Sequence, residues 1–418
     1  MEEARQHRSP HDPPAADRRP ATGTGRRPLL LAALVGLGGT AALAGCAQDS
    51  PTSPSPSTST PSTGVPPTGT TSPTQAALEE WTLEEKVGQL IMVGVDASAP
   101  QTVSTTAISS HHVGNIFVSG RSSAGASAVH ATIASVTALA GPGTTHGTSL
   151  LVATDQEGGD VQVLAGPGFS TIPSALEQSE LATGELVEAA RGWGAELAAV
   201  GVTMNLAPVV DLVDGPDPTG NGPIGAWGRQ YGHDATTVQE QAGAFAEGMA
   251  AAGVIPTIKH FPGLGRVEGN TDTTAEVVDS DTTRTGDPAV SVFAEMIADG
   301  ARVVMMSSAV YSRIDPDAPA VFSEAVVNGM LRTDLGFTGV IMTDDLSAAA
   351  QLQQWEPGER AVLALTAGCD LVLASGDPAD ATAMASAIVE AATTDSALAA
   401  RVDQSVERVL TLKGIRLP

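Results

Sequence analysis

The stretch GVIMTDDL, residues 339–346, is a short run of mainly apolar side chains that ends near two adjacent carboxylates. A continuous apolar run of this length is typical of a strand that is buried on both faces of a parallel sheet. Longer Ala-rich stretches, which predict helices, separate this run from others of the same kind. We identify eight such runs, at residues 88–95, 114–120, 149–159, 201–212, 254–263, 301–311, 339–346 and 369–376.

Eight predicted strands, each followed by a predicted helix, indicate an α/β fold, a (β/α)8 TIM-type barrel. A doubly wound open sheet is the alternative, but the repeats contain no Gly-rich dinucleotide fingerprint. We therefore expect a single catalytic barrel domain over residues 78–418, with no second domain after it. The clearest helical stretches are residues 185–200, 236–253, 378–393 and 401–415.

Charged and polar residues stand where most of these runs end. Because the carboxyl ends of barrel strands open on one face, where active sites of this fold lie, we expect these side chains to share a site. The pairs Lys259-His260 and Asp344-Asp345 are expected to be buried, which is costly without a use. The alternative is that they cap strands and bond to loop backbone. The full set is Asp155, Glu157, Asn205, Asp211, Lys259, His260, Ser307, Ser308, Asp344 and Asp345.

The N-terminal segment predicts export. Arg26 and Arg27 precede an apolar run that ends in LAGC, a pattern typical of a signal peptide over residues 1–45. LAGC resembles the lipobox of bacterial lipoproteins, which implies that Cys46 carries a lipid and anchors the chain on the outer face of the cell membrane. A transmembrane anchor is the alternative, and the Arg pair also allows twin-arginine export. Residues 46–77 comprise this Cys and a Ser/Thr/Pro-rich tether that cannot bury enough surface to fold.

The composition argues against several classes of function. The 418 residues include 47 acidic and 21 basic ones, which argues against a nucleic-acid partner, since such a partner requires a basic face. No His or Cys cluster has the spacing of metal ligands, and no G-x-S-x-G elbow or phosphate-binding loop occurs. We therefore predict no metal and no cofactor. Carboxylates gathered with Lys, Arg and His are instead the equipment of glycoside hydrolysis.

Seven motifs follow one another between about residue 78 and residue 415: TLEEKVGQLIMVG (82–94), DQEGG (155–159), NLAPVVDL (205–212), GRQYG (228–232), KHFPGLG (259–265), TDDL (343–346) and AGCDLVL (367–373). They resemble glycoside hydrolase family 3 and, more closely, its single-domain bacterial β-N-acetylglucosaminidases, which act on peptidoglycan fragments. The resemblance implies a retaining hydrolase that removes terminal β-linked N-acetylglucosamine-type sugars from cell-wall-derived glycans. The implied partner is thus a carbohydrate, either peptidoglycan fragments or other β-glycosides.

The resemblance also implies roles at the matching positions. The first Asp of TDDL, Asp344, would be the nucleophile that forms the glycosyl-enzyme intermediate, with Asp345 as its supporting neighbour. Four other matches would hold sugar hydroxyls: Asp155, Arg229, Lys259 and His260.

The loop after KHFPGLG departs from the family pattern. In single-domain members this loop carries an Asp-x-His pair, in which the His is the general acid and base and the Asp orients it. Here the pair is Asp272 and Thr274, and a threonine hydroxyl cannot deliver a proton near neutral pH. Leu264 replaces a second His, and Asp160 and Val163 replace basic residues after DQEGG.

Three interpretations of this loop are open. Another acid on it, Glu268 or Asp272, supplies the proton; or Asp344 acts only on substrates with good leaving groups; or the barrel is a membrane-tethered domain that binds glycans without cleaving them. A barrel enzyme of another class, with Lys259 as a Schiff base, is a further alternative. The retained Asp344 favours catalysis. The natural glycan, its linkage, and water or phosphate as the acceptor stay open.

Overall fold

The computed structural model describes residues 78–284 and 286–415. The predicted signal peptide, the predicted lipidation site Cys46 and the predicted tether lie outside these residues. Within the described residues, no helix is both long enough and apolar enough to cross a membrane.

Nine strands form one parallel sheet: β1 (Ile91–Asp96), β2 (Asn115–Ser119), β3 (Leu151–Thr154), β4 (Met204–Asn205), β5 (Ile255–Pro256), β6 (Ile258–Phe261), β7 (Val303–Met306), β8 (Val340–Asp345) and β9 (Leu371–Ala374). Their spatial order is β5-β4-β3-β2-β1-β9-β8-β7-β6. Only Thr257 separates β5 from β6 in the chain, so the two ends of the sheet meet. Across this seam Val209, which follows β4, forms a parallel bridge with Lys259 in β6. The closed order confirms the predicted barrel and excludes the open sheet.

Each of the eight predicted runs corresponds to a barrel strand. The sheet has nine strands rather than eight because β5 and β6 both fall in the run 254–263. All residues of β3, β7 and β9 are buried, as a strand covered on both faces requires. The apolar runs therefore predicted both the number and the position of the barrel segments.

Helices alternate with the strands along the chain and cover the barrel. They are α1 (Leu83–Gly88), α2 (Thr102–His111), α3 (Ala126–Thr137), α4 (Ala175–Gln178), α5 (Thr183–Ala199), α6 (Ala235–Ala251), α7 (Pro288–Ala298), α8 (Pro357–Ala367), α9 (Asp380–Thr394) and α10 (Ser396–Leu412), with a π-helix at Ala325–Asp334 between β7 and β8. The four helical stretches singled out in the sequence correspond to α5, α6, α9 and α10, each within a few residues.

Small side chains let neighbouring helices approach closely. At Gly194 in α5, a Cβ atom would lie 2.8 Å from the Cβ of Ala252, just after α6. At Gly248 in α6, a Cβ atom would collide with the carbonyl oxygen of Val187 in α5. The abundant Ala and Gly residues thus serve packing on the outside of the barrel.

Two small sheets lie beyond the carboxyl ends of the barrel strands. After β3, the strand Gln156–Gly158 pairs antiparallel with Val161–Gln162 and forms a hairpin that contains Glu157. The second small sheet joins Val278–Asp279, Val310–Tyr311 and Asp315–Pro319. Its first strand ends the long loop that follows β6, so both small sheets shape the face on which the predicted site lies.

Candidate active site

The predicted site residues lie at the carboxyl ends of barrel strands. Asp155 directly follows β3, Lys259 and His260 lie in β6, and Asp344 and Asp345 end β8. Lys259 and His260 are buried, as expected. The expectation that the Asp pair is buried is wrong, because both side chains are half-buried at the end of the strand, where the barrel opens to solvent.

Glu157 lies at the centre of a cluster of four charged side chains. Its Oε1 lies 2.6 Å from Nζ of Lys259. Arg229 donates from Nε to Oε2 at 2.9 Å and from Nη2 to Oε1 at 2.7 Å. Lys259 also donates to Oδ1 of Asp155 at 2.8 Å. The Lys259 side chain is 3% exposed whereas that of Asp155 is 27% exposed, so Asp155 is the member of the cluster that reaches solvent.

The cluster sets the charge state of its members. Burial by itself would raise the pKa of Glu157, but the charges and hydrogen bonds of Arg229 and Lys259 outweigh burial and lower that pKa to about 2. Burial would lower the pKa of Lys259, but the charges of Asp155 and Glu157 hold it above its usual value. Lys259 therefore remains a protonated ammonium. A Schiff base requires the neutral amine, so this pairing argues against the alternative enzyme class.

A second buried pair lies beside this cluster. The Oδ2 atom of Asp211 lies 2.7 Å from Nδ1 of His260. The other carboxylate oxygen accepts hydrogen bonds from the backbone N–H of His260 at 3.0 Å and of Leu264 at 2.8 Å. Asp211 is fully buried, so it fixes both the imidazole ring and the start of the following loop. The contact thereby also fixes the direction of the other ring nitrogen of His260.

The two carboxylates at the end of β8 have different surroundings. Asp344 accepts a hydrogen bond at Oδ1 from the backbone N–H of Asp345 at 2.8 Å. Asp345 instead accepts from the hydroxyl of Ser347 at 2.6 Å and from the backbone N–H groups of Ser375 at 2.9 Å and Gly376 at 3.0 Å. Asp345 thus joins the loop after β8 to the loop after β9, which is a structural role, and leaves Asp344 as the carboxylate suited to chemistry.

The loop that follows β6 is fixed against the loop that follows β4. Asn221 is buried and donates to the carbonyl oxygens of Leu264 at 2.9 Å and Val267 at 2.7 Å. The next residue, Gly222, donates its N–H to the carbonyl oxygen of Glu268 at 3.1 Å. A Cβ atom at position 222 would lie 2.5 Å from that oxygen, so the close approach requires glycine.

The far end of the same loop is fixed against the segment that follows β8. The backbone N–H groups of Ala350 and Gln351 donate to the carbonyl oxygens of Asp272 and Thr271, both at 3.1 Å. The side chain of Gln351 accepts from the N–H of Val277 at 2.8 Å and donates to its carbonyl oxygen at 3.3 Å. The loop is therefore attached to the segment that starts at the two carboxylates of β8.

Three residues of this loop bear on proton transfer. Glu268 and Thr274 are exposed, and Asp272 is half-buried. The backbone N–H groups of Asp272 and Thr274 both donate to Asn270, to its side-chain oxygen at 2.9 Å and to its carbonyl oxygen at 2.8 Å respectively. Two carboxylates thus lie on a backbone that is fixed at both ends, and Thr274 holds the place of the expected histidine.

Comparison with known proteins gives the family. The glycosyl hydrolase family 3 N terminal domain matches residues 82–412. The chain belongs to glycosyl hydrolase family 3. It is 33% identical over 338 residues to the beta-hexosaminidase LpqI of Mycobacterium tuberculosis, a match that covers 79% of this chain and 82% of that relative.

Solved family 3 structures share the fold. The beta-N-acetylhexosaminidase of Beutenbergia cavernae is 53% identical with a TM-score of 0.79, and the match covers 80% of this chain and 99% of that one. A family 3 beta-N-acetylglucosaminidase from a Paenibacillus species is 33% identical with a TM-score of 0.73, over 80% of this chain and 62% of that one. These relatives confirm the resemblance that the seven motifs indicated.

Family 3 membership makes the chain a glycoside hydrolase and its substrate a carbohydrate, as the sequence predicted. Within residues 78–284 and 286–415, no group of three His, Cys, Asp or Glu side chains could hold a metal ion.

The sequence prediction did not single out two residues of this family 3 site, Asn221 and Gln351, and it placed a third, Glu157, at the site without giving it a role. Glu157 was expected at the site because it ends the third apolar run, two residues after Asp155, but the sequence did not show that it binds Arg229 and Lys259. Asn221 and Gln351 give no sequence signal, because their partners Leu264 and Val277 lie 43 and 74 residues away. Only the closed barrel shows these contacts.

Proposed function

We propose that this family 3 enzyme removes terminal β-linked N-acetylglucosamine-type sugars with retention of the anomeric configuration. The named relatives, beta-hexosaminidases and beta-N-acetylglucosaminidases, support the choice of sugar. The observation that carries the proposal is the cluster around Glu157, which fixes Asp155, Arg229 and Lys259 at the end of the barrel where Asp344 lies. Fixed polar groups that position a sugar, at the same end of the barrel as a candidate carboxylate nucleophile, suit glycoside hydrolysis.

Asp155, Arg229, Lys259 and His260 would hold the hydroxyl groups of the terminal sugar. Asp155 remains 27% exposed while it binds Lys259, so its carboxylate can also accept a hydrogen bond from a hydroxyl. Hydrogen bonds to charged groups are short and strong. Because Glu157 and Asp211 hold these side chains before substrate arrives, little side-chain entropy is lost on binding.

Asp344 would attack the anomeric carbon, forming an ester with the sugar as the bond to the leaving oxygen breaks. The N–H of Asp345 holds one carboxylate oxygen at 2.8 Å and so orients the other. The leaving oxygen would take its proton from Glu268 or Asp272. The same group would then remove a proton from the water that hydrolyses the ester, as in other retaining enzymes.

Turnover of aryl β-N-acetylglucosaminides tests this proposal, with aryl β-glucosides as the control for the sugar. We expect Asp344→Ala to abolish turnover of every substrate. Azide should restore turnover of the dinitrophenyl substrate and give the α-glycosyl azide, because the small anion enters the space of the missing carboxylate. Preferred hydrolysis of glucosides would contradict the proposed sugar.

Azide also identifies the residue that protonates the leaving oxygen. One of the two variants, Glu268→Gln or Asp272→Asn, should remove the acid. In that variant, turnover of the phenyl glycoside should fall by about 10²-fold or more, whereas the dinitrophenyl glycoside should still form the glycosyl enzyme. Azide should then intercept the glycosyl enzyme and give the β-glycosyl azide. If the wild type cleaves none of the substrates, a glycan-binding barrel without catalysis becomes the better account.

We propose in addition that Cys46 carries a lipid, and that the enzyme acts on peptidoglycan fragments at the outer face of the cell membrane. The LAGC sequence supports this proposal. Full-length protein expressed in a bacterial host with a clickable fatty acid should be labelled and found in the membrane fraction. Cys46→Ala should abolish the label, and a variant that stays in the membrane without the label would indicate a transmembrane anchor instead.

A further inference from the structure

We propose that Trp227 is a stacking platform for the sugar ring of the leaving group, and that it defines a binding subsite on the far side of the scissile bond. The ligand of this subsite is a pyranose ring β-linked to the sugar that Asp344 would attack. The inference rests on the proposed function, because it requires a glycosidic bond to be cleaved beside Trp227.

Trp227 differs from every other tryptophan of the chain in its exposure. It is 44% exposed, and among residues 78–284 and 286–415 it is the only exposed Phe, Tyr or Trp. A ligand that covers this apolar surface would gain binding free energy from its removal from water. Each of the other three Trp rings packs on another ring, in the pairs Trp81–His146, Trp193–Phe245 and Trp355–Phe322.

Trp227 is connected to both the Glu157 cluster and the loop that follows β6. It precedes Arg229 of the Glu157 cluster by two residues, on the loop that follows β4. Its indole N–H donates to the carbonyl oxygen of Gly222 at 3.0 Å, and the N–H of Gly222 donates to the carbonyl oxygen of Glu268 at 3.1 Å. The ring is thus connected through a single residue to the loop that carries the candidate acids. The acid acts on the leaving oxygen, so a ring at this loop lies on the leaving-group side.

The indole is held in one place and has an apolar neighbour. The hydrogen bond to Gly222 fixes the ring, which belongs to the short helical turn Gly225–Trp227. Gly228, which follows, has a φ of 60° and accepts a hydrogen bond from the N–H of Leu176 at 3.0 Å. The Leu176 side chain is itself 37% exposed.

Trp227 and Leu176 are thus two exposed apolar side chains on loops at the carboxyl face of the barrel, joined through the backbone of Gly228. The C–H faces of a pyranose are also apolar, and they pack against a rigid aromatic ring with little loss of entropy. A sugar ring therefore fits the exposed indole of Trp227 better than a charged or strongly hydrated group.

Two substrates with the same terminal sugar test the platform. N,N′-diacetylchitobiose has a sugar as its leaving group, whereas β-N-acetylglucosaminyl fluoride has a leaving group with no ring. We expect Trp227→Ala to lower kcat/KM for the disaccharide about tenfold and to leave that for the fluoride unchanged. Trp227→Phe keeps a ring without the N–H and should retain most of the kcat/KM for the disaccharide.

The matched control is Val103→Ala, which shortens another apolar side chain that is 44% exposed, in α2. It should change kcat/KM for neither substrate. The platform would be overturned if Trp227→Ala lost the same fraction of kcat/KM on both substrates, or lost none on the disaccharide. In either case, wild-type turnover of the fluoride would still support the proposed function. A wild type that cleaves neither substrate would remove the proposed function and this inference together.

Discussion

The carboxylate of Glu157 lies 2.6 Å from the ammonium nitrogen of Lys259, and neither side chain is more than 4% exposed. Arg229 shares the same carboxylate, and Asp155 shares the same ammonium group. The cluster therefore contains two anions and two cations and is neutral as a whole. Buried charges persist only when they are paired in this way. Glu157 is thus the residue on which the substrate-holding side chains depend for their position.

The Glu157→Gln variant should be less stable and less active. Two buried cations would then share one anion, so we expect the free energy of unfolding at pH 7 to fall by about 3 kcal/mol, measured by urea denaturation. The exposed pair of Glu188 with Arg191 provides the control, because solvent screens this pair and Glu188→Gln should change the stability little. Equal effects of the two substitutions would contradict the role of the cluster.

The same variant has a characteristic pH dependence. The pKa of Glu157 is lowered from 4.5 to about 2 in the folded chain, chiefly because the charges of Arg229 and Lys259 outweigh the effect of burial. Its ion pairs therefore stabilise the fold fully above pH 4.5, and this contribution is lost as the pH falls from 4.5 towards 2. Between these pH values, the stability of Glu157→Gln should fall less steeply than that of the wild type.

The Asp211→Asn variant should lower activity through His260. An amide places either its oxygen or its N–H group opposite Nδ1 of His260, so the ring is no longer held in one tautomer and position. A displacement of the ring by about 1 Å can cost about 10²-fold, and we expect a loss of this size in kcat/KM. Asp279→Asn is the control, a buried carboxylate that binds Thr282 instead, and it should leave kcat/KM unchanged. Normal kinetics of Asp211→Asn would exclude a positioning role for this carboxylate.

The Gln351→Leu variant should loosen the loop that carries the candidate acids, because both hydrogen bonds to Val277 are lost. Proton transfer depends on geometry, so we expect kcat for the phenyl glycoside to fall about tenfold and kcat for the dinitrophenyl glycoside to change little. Gln241→Leu removes a distant hydrogen bond to Leu181 and serves as the control. The same fractional loss on both substrates would show that Gln351 has only a structural role.

The Thr274→His variant should add the missing acid. Position 274 is exposed, so a larger side chain has room, and its partner Asp272 is already present. We expect turnover of the phenyl glycoside to rise about tenfold or more. The pH profile should gain a limb near the ordinary histidine pKa of about 6.5. Thr273→His, which places the imidazole one residue earlier at another exposed position, should produce neither change. An unaltered pH profile in Thr274→His would mean that this loop position does not reach the leaving oxygen.

Lys413 lies at the end of the barrel opposite the site, and we expect it to make the stability of the fold depend on pH. Its ammonium group donates to Oε1 of Gln89 at 2.7 Å and to the carbonyl oxygen of Gly114 at 2.8 Å, both neutral partners. Burial lowers its pKa from 10.5 to about 7. The buried charge therefore lowers the free energy of unfolding by its full amount below pH 7. This destabilisation decreases as the pH rises from 7 to 10.5, because the folded chain releases the proton first. Unfolding measured over this range should show a rise in wild-type stability that is absent in Lys413→Met, and parallel curves would contradict the assignment.

The amino-acid sequence could predict a large part of the fold and part of the site. The eight apolar runs gave the barrel segments, and the carboxylates and cations that follow them marked Asp155, Lys259 and Asp344 at its carboxyl face. This succeeded because an apolar run and the polar residue that ends it are neighbours in the chain. Arg229, which ends no run, entered only through the family resemblance.

By itself, the sequence determined that this chain forms a barrel with polar and charged residues where its strands end; the family resemblance added that Thr274 stands where a histidine acid was expected. Only the tertiary structure decided that Glu157 holds Arg229, 72 residues away, and that Gln351 anchors Val277, 74 residues away. The physical reason is that hydrophobic patterning is local and specifies strands, whereas a hydrogen bond between two loops exists only after the closed sheet has brought the strand ends together.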